Sequence, residues 1–130
     1  MRLLRLLLFP ISLIYALIVI IRNWAYDNGI FKSRRFKIPI ISVGNLAVGG
    51  AGKSPMTEYL ITLFKDEYKL ATLSRGYGRR TKGFFKVKSS SISADVGDEP
   101  LQFKKKFPAV TVAVCEDRVE GVKELNQHHE

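Results

Sequence analysis

The chain has 130 residues, 46% of them hydrophobic, and 21 Lys and Arg against 12 Asp and Glu give it a formal charge of +9. That length allows one modest core, and Cys115, the single cysteine, excludes an intrachain disulfide framework. A basic balance suits an anionic membrane face, a phosphorylated substrate or nucleic acid; with no aromatic interleaving on a basic stripe and no reader motif, no nucleic acid is expected as a partner.

Leu6 to Ile21 carries no charge, and only Pro10, Ser12 and Tyr15 interrupt its apolar run. Arg2, Arg5 and Arg22 flank it, Trp24 and Tyr26 supply interfacial aromatics, and Lys32, Arg34, Arg35 and Lys37 follow. Basic residues placed beside an apolar segment match lipid headgroups. Residues 1–26 are therefore read as a membrane-anchor helix and 27–37 as a basic connector. The run is shorter than the roughly twenty apolar residues of a full span. A spanning helix and a shallow in-plane anchor both fit it. A soluble core helix is the alternative, and a signal peptide fits poorly because no small-x-small cleavage site follows.

Ile38-Pro39-Ile40-Ile41-Ser42-Val43 reads as a short apolar strand, followed by Gly44-Asn-Leu-Ala-Val-Gly-Gly-Ala-Gly-Lys-Ser-Pro55. Strand, glycine-rich turn, Lys-Ser and helix form the sequence pattern of a P-loop. Small residues at Val48, Gly49, Gly50, Ala51 and Gly52 let successive N–H groups turn toward a phosphate, and the following helix adds its positive dipole end. In that pattern Lys53 reaches the β- and γ-phosphates of ATP and the Ser54 hydroxyl ligates Mg²⁺. Ala47 stands where the general consensus has its first glycine, so a glycine-rich turn with a chance Lys-Ser is the competing interpretation. The apolar stripe Met56, Tyr59, Leu60, Leu63 and Phe64 has helical spacing and predicts a helix starting just after Lys53, with Pro55 in its first turn.

Lys69–Ser74 predicts a second strand running into Arg75-Gly-Tyr-Gly-Arg-Arg80. Strands alternating with helices imply a parallel sheet whose ligands gather at the strands' carboxyl ends, which places Arg75, Tyr77 and Arg79 there as candidate phosphate or substrate contacts. Phe84–Val87 predicts a short aromatic strand, and Gly97-Asp98-Glu99-Pro100 opens a helix through Leu101 and Phe103. Two acids before a proline serve as helix-start residues in many chains. Asp98 is also the one acid preceded by glycine and followed by a helix start, which makes it the candidate base for an acceptor hydroxyl. Ala109–Cys115 predicts a further strand with Cys115 as a small buried hydrophobe, then a helix around Val119, Val122 and Leu125 with Glu116, Asp117 and Arg118 in its first turn. Arg118 is a weaker candidate phosphate contact.

In this order the motifs resemble the tetraacyldisaccharide 4′-kinase family, the lipid A 4′-kinases of Gram-negative bacteria. The resemblance runs over nearly the whole chain. Its carriers are Arg22–Gly29, Ile41–Leu46 entering Val48–Pro55, Leu73–Arg79, Gly97–Pro100 and Asp117–Gly121. The family also has a non-glycine residue at the position of Ala47. The resemblance implies an α/β, P-loop NTPase-type domain with a mostly parallel sheet. Residues 38–130 would form its N-terminal part, preceded by a membrane-anchoring helix. It further implies ATP and Mg²⁺ as cofactors, an acylated disaccharide 1-phosphate lipid as acceptor, and the cytoplasmic face of the bacterial inner membrane as location. Lys53 and Ser54 would serve nucleotide and metal, Asp98 the acceptor hydroxyl, and Arg75, Tyr77, Arg79 and Arg118 the substrate. The family pattern continues with an Asp-Asp-Gly segment and a histidine partnering the catalytic aspartate. Neither occurs here, so the chain is expected to be the N-terminal part of such an enzyme and inactive by itself. A membrane-associated P-loop switch that recruits partners is the alternative.

Overall fold

The computed structural model describes residues 2–31, 33–44 and 52–127, in two compact units, Met1–Pro39 and Ile40–Glu130. In the first unit the uncharged run forms helix α1 (Arg2–Asp27), with Pro10 inside it. Phe9, Leu13, Leu17, Ile20 and Trp24 are all exposed, and its Phe9–Asp27 window, of mean hydropathy 1.5, is long and apolar enough to cross a membrane. The helix closes where Asn28 donates backbone and side-chain N–H to the Trp24 carbonyl and the Phe31 N–H reaches Ala25 O at 3.1 Å. The turn brings the rings of Tyr26 and Phe31 to a centroid distance of 5.2 Å.

The second unit is α/β. Its elements are helix α2 (Lys53–Phe64), strand β1 (Ala71–Ser74), strand β2 (Phe85–Lys86), the single turn α3 (Ser93–Val96), helix α4 (Asp98–Lys106), strand β3 (Thr111–Val114) and helix α5 (Arg118–Gln127). The strands pair in the order β1-β3-β2. β1 runs parallel to β3 with Ala71 opposite Thr111, and β2 runs antiparallel with Phe85 opposite Val114. The sheet is therefore mixed where a mostly parallel one was expected. The parallel pair leaves the carboxyl ends of β1 and β3 side by side.

Alternation along β3 divides the core. Val112 and Val114 point into a cluster with Val87, Val96 and Phe103, roofed by α4. Ala113 and Cys115, also fully buried, share the other face with Leu73, where α5 packs. A Cβ added at Gly121 would lie 2.7 Å from Leu73 Cδ2 and 3.0 Å from Cys115 Cβ, so the small residue sets how closely α5 lies on the sheet. Cys115 is buried as expected, and burial pushes its thiol pKa up.

The helices expected after Lys53 and around Val119, Val122 and Leu125 are present, and one expected strand is not. Residues 38–43 form no strand. On α2, Met56, Tyr59 and Leu63 are exposed, whereas Ile61 is buried and Ser54, Thr57 and Glu58 are partly covered. On α5, Gly121 and Leu125 face the core and Val119 does not.

Candidate active site

α2 begins on Gly52, whose left-handed backbone (φ 70°, ψ 23°) turns the chain into the helix and whose carbonyl accepts from Met56 N at 3.1 Å. Lys53 and Ser54 are the first two helical residues. The first N–H groups of a helix lack intrahelical acceptors and carry its positive dipole end, so this end favours an anion. Of the predicted phosphate cradle, Val48, Gly49, Gly50 and Ala51 lie outside the described residues.

The Arg75–Arg80 turn leaves the carboxyl end of β1, and its cations separate into two kinds. Arg75 is exposed and Tyr77 is 99% exposed. The Arg79 side chain is only 2% exposed. Its Nη2 lies 2.7 Å from Glu116 Oε2 and donates to Gly83 O at 2.7 Å, while Nη1 donates to Thr81 Oγ1 at 3.1 Å. Arg79 thus lies in the turn where expected, but as a buried clasp, its guanidinium held by Glu116, Gly83 and Thr81. Glu116, expected in the first turn of α5, precedes that helix and instead joins the clasp, also accepting from Gly83 N at 2.9 Å. The first turn of α5 is capped by Asp117, whose Oδ1 accepts from Val119 N at 2.8 Å and Glu120 N at 3.2 Å. Arg118 stands exposed at its first residue.

The Glu116 carboxyl is held below its ordinary value by its own backbone N–H, then by the Gly83 N–H and the Arg79 guanidinium. A depressed carboxylate contributes its stability in full above the ordinary value, here 4.5, and loses it as pH falls through the lower folded value. Glu116→Gln is therefore expected to melt below the wild-type chain near about pH 7, with the gap closing toward about pH 3. A gap that stayed constant over that range would assign Glu116 a packing role only.

Gly76 and Gly97 interlock this turn with the start of α4. A Cβ on Gly76 (φ 67°) would sit 2.8 Å from the Val96 carbonyl oxygen, and one on Gly97 (φ 90°) 3.2 Å from the Tyr77 carbonyl and 3.3 Å from Gly76 Cα. Both positions need φ values and close approaches that only glycine offers without strain. The contact places Asp98, the first residue of α4, beside the Arg75–Arg80 turn at the carboxyl end of the sheet. Asp98 is exposed, and together with Glu99 it complements the positive end of α4.

A hydrogen bond at the site end ties α2 to α4. The Ser54 hydroxyl of α2 donates to Glu99 Oε1 of α4. The bond sets Ser54 against Glu99, the residue that follows Asp98 on α4. Sequence reasoning singled out Asp98 but read Glu99 only as a helix-start acid; the signal was its place beside Asp98 before Pro100. A hydroxyl and a carboxylate oxygen in contact form a hard-oxygen donor set of the sort Mg²⁺ takes.

Comparison with known proteins agrees in extent. The model of the LpxK family, Tetraacyldisaccharide-1-P 4′-kinase, matches residues 4–130. The chain is 51% identical over 125 residues to the tetraacyldisaccharide 4′-kinase of Flavobacterium johnsoniae, covering 96% of this chain and 37% of that protein. It is 50% identical over 122 residues to the enzyme of the same name from Phocaeicola vulgatus, covering 94% and 33%. Among solved structures, the crystal structure of the "apo" form of LpxK from Aquifex aeolicus in complex with ATP aligns with a TM-score of 0.78 and 40% identity, over 95% of this chain and 40% of that one. The chain thus spans about a third of the length of the curated relatives it matches.

Proposed function

Because the chain belongs to the tetraacyldisaccharide-1-phosphate 4′-kinase family, we propose that the protein carrying it moves the γ-phosphate of ATP to the 4′-hydroxyl of a tetraacyldisaccharide 1-phosphate. The single observation that supports this beyond the family match is the Ser54–Glu99 hydrogen bond, which joins the helix start suited to a nucleotide to the helix carrying Asp98. The ATP-bound LpxK relative supports ATP as the nucleotide.

In this reading Lys53 and the first N–H groups of α2 neutralise the β- and γ-phosphate oxygens. Ser54 and Glu99 would hold Mg²⁺, which when bound offsets charge on the transferred phosphoryl group. Asp98 accepts the proton of the 4′-hydroxyl as the new O–P bond forms and the bond to the β-phosphate oxygen breaks, releasing ADP. The exposed Arg75, Tyr77 and Arg118 contact the acceptor lipid. Arg79 acts through the turn it holds. The exposed apolar α1 keeps the protein at the cytoplasmic face of the inner membrane, because its substrate cannot leave the bilayer. Residues 1–26 thus serve as anchor, 27–37 as basic connector and 38–130 as part of the kinase domain.

The test is stoichiometry. The intact gene product in detergent, given Mg-ATP and tetraacyldisaccharide 1-phosphate, is expected to form one ADP per newly phosphorylated lipid, with the added phosphorus on the 4′-oxygen by ³¹P NMR. ADP formation that ignores the lipid would reject the proposed acceptor.

A further inference from the structure

The two helices that carry the site meet along a polar seam longer than the Ser54–Glu99 contact. On α2, Ser54 and Glu58 are one turn apart on one face, and on α4 so are Glu99, Gln102 and Lys106. Glu58 Oε1 accepts from Gln102 Nε2 at 3.3 Å, and Glu58 Oε2 forms an ion pair with Lys106 Nζ. Both carboxylate oxygens of one α2 residue are therefore occupied by α4 donors, and the Glu58 side chain is 19% exposed.

We propose that Glu58 is a positioning residue for phosphoryl transfer, a strut that holds the Lys53–Ser54 end of α2 in register with Asp98 on α4. The proposal rests on the kinase reading above. Its logic is a division of labour along the seam. Ser54 and Glu99 are the two oxygens that a divalent cation would take, so their mutual hydrogen bond cannot serve as the tie between the helices during turnover. One turn further on, the Glu58 contacts use no oxygen that the nucleotide or metal needs. In-line transfer requires reacting atoms to be placed within a fraction of an ångström, and misplacement of about 1 Å can cost on the order of a hundredfold in rate. A partly exposed ion pair contributes little to overall stability. Glu58 should therefore matter more to turnover than to melting.

The experiment uses the intact gene product in detergent and begins with the wild-type rate. Wild-type protein without lipid phosphorylation would reject the kinase reading, and the Glu58 proposal with it. Given wild-type turnover, Glu58→Ala is expected to lower kcat about tenfold, with the Mg-ATP KM unchanged within about twofold and Tm within about 2 °C. The single reversals Glu58→Lys and Lys106→Glu should each lose turnover. The double variant Glu58→Lys/Lys106→Glu should recover much of it, because the pair is restored in the opposite sense. A purely structural role predicts instead a lower Tm with unchanged kcat of the folded enzyme. That result, or a double variant no better than its parents, would overturn the proposal while leaving the kinase reading intact.

Discussion

Lys53→Ala is expected to lower phosphoryl transfer on the order of a thousandfold, the range lost when a single charged stabiliser of a developing phosphoryl charge is removed. Lys53 is the first residue of α2, immediately after the left-handed Gly52, where the helix end already favours anions. Removing its ammonium takes away the lysine charge that the proposed cradle brings to the β- and γ-oxygens. The loss should therefore appear in both kcat and the KM for Mg-ATP. Lys53 is exposed, so the melting temperature should hold. Kinetics and a thermal melt on the same preparation check both statements. A variant with wild-type kcat would remove Lys53 from the phosphate site.

Asp98→Asn should have the second large effect, a fall in kcat of about 10²- to 10⁴-fold, the usual contribution of a positioned acid or base. Its signature differs from that of Lys53. Asp98 stands at the opposite side of the Ser54–Glu99 link, on α4, so nucleotide binding should persist when proton acceptance is lost. Asparagine keeps the shape and can still receive a hydrogen bond, but it takes up no proton. Unchanged ATP affinity by titration, with lipid phosphorylation gone, is the expected pair of results. Loss of ATP affinity together with turnover would place Asp98 on the nucleotide instead.

The origin of these two residues in the sequence differs from that of their surroundings. The helix starts that carry Lys53, Ser54 and Asp98 were legible because each lies in a short motif, where local sequence controls geometry. The apolar stripe announces α2 but not its buried face: Ile61 is buried, Leu60 and Phe64 are half-buried, and Met56, Tyr59 and Leu63 are exposed. Periodicity alone does not say which face meets the core. The role of Arg79 was out of reach for a different reason. A basic residue in a glycine-rich turn resembles a ligand contact, and its burial depends on Glu116, which only the pairing of β1 with β3 brings beside it. The antiparallel seat of β2 is likewise a long-range outcome, since Phe85 and Lys86 carry no mark of strand direction. The Glu58 seam was hidden for the same reason, its two helices being far apart in sequence and joined by side chains at their facing edges.

Transfer of ³²P from γ-labelled ATP to tetraacyldisaccharide 1-phosphate, by the intact gene product and by its Lys53→Ala and Asp98→Asn forms side by side, reaches the central claim most directly. Labelled lipid from the wild type, with both variants near background and only Asp98→Asn still binding ATP, is the predicted result. A folded wild-type protein that binds ATP and leaves the lipid unlabelled, or variants that label it at the wild-type rate, would contradict the joining of nucleotide and acceptor sites across α2 and α4.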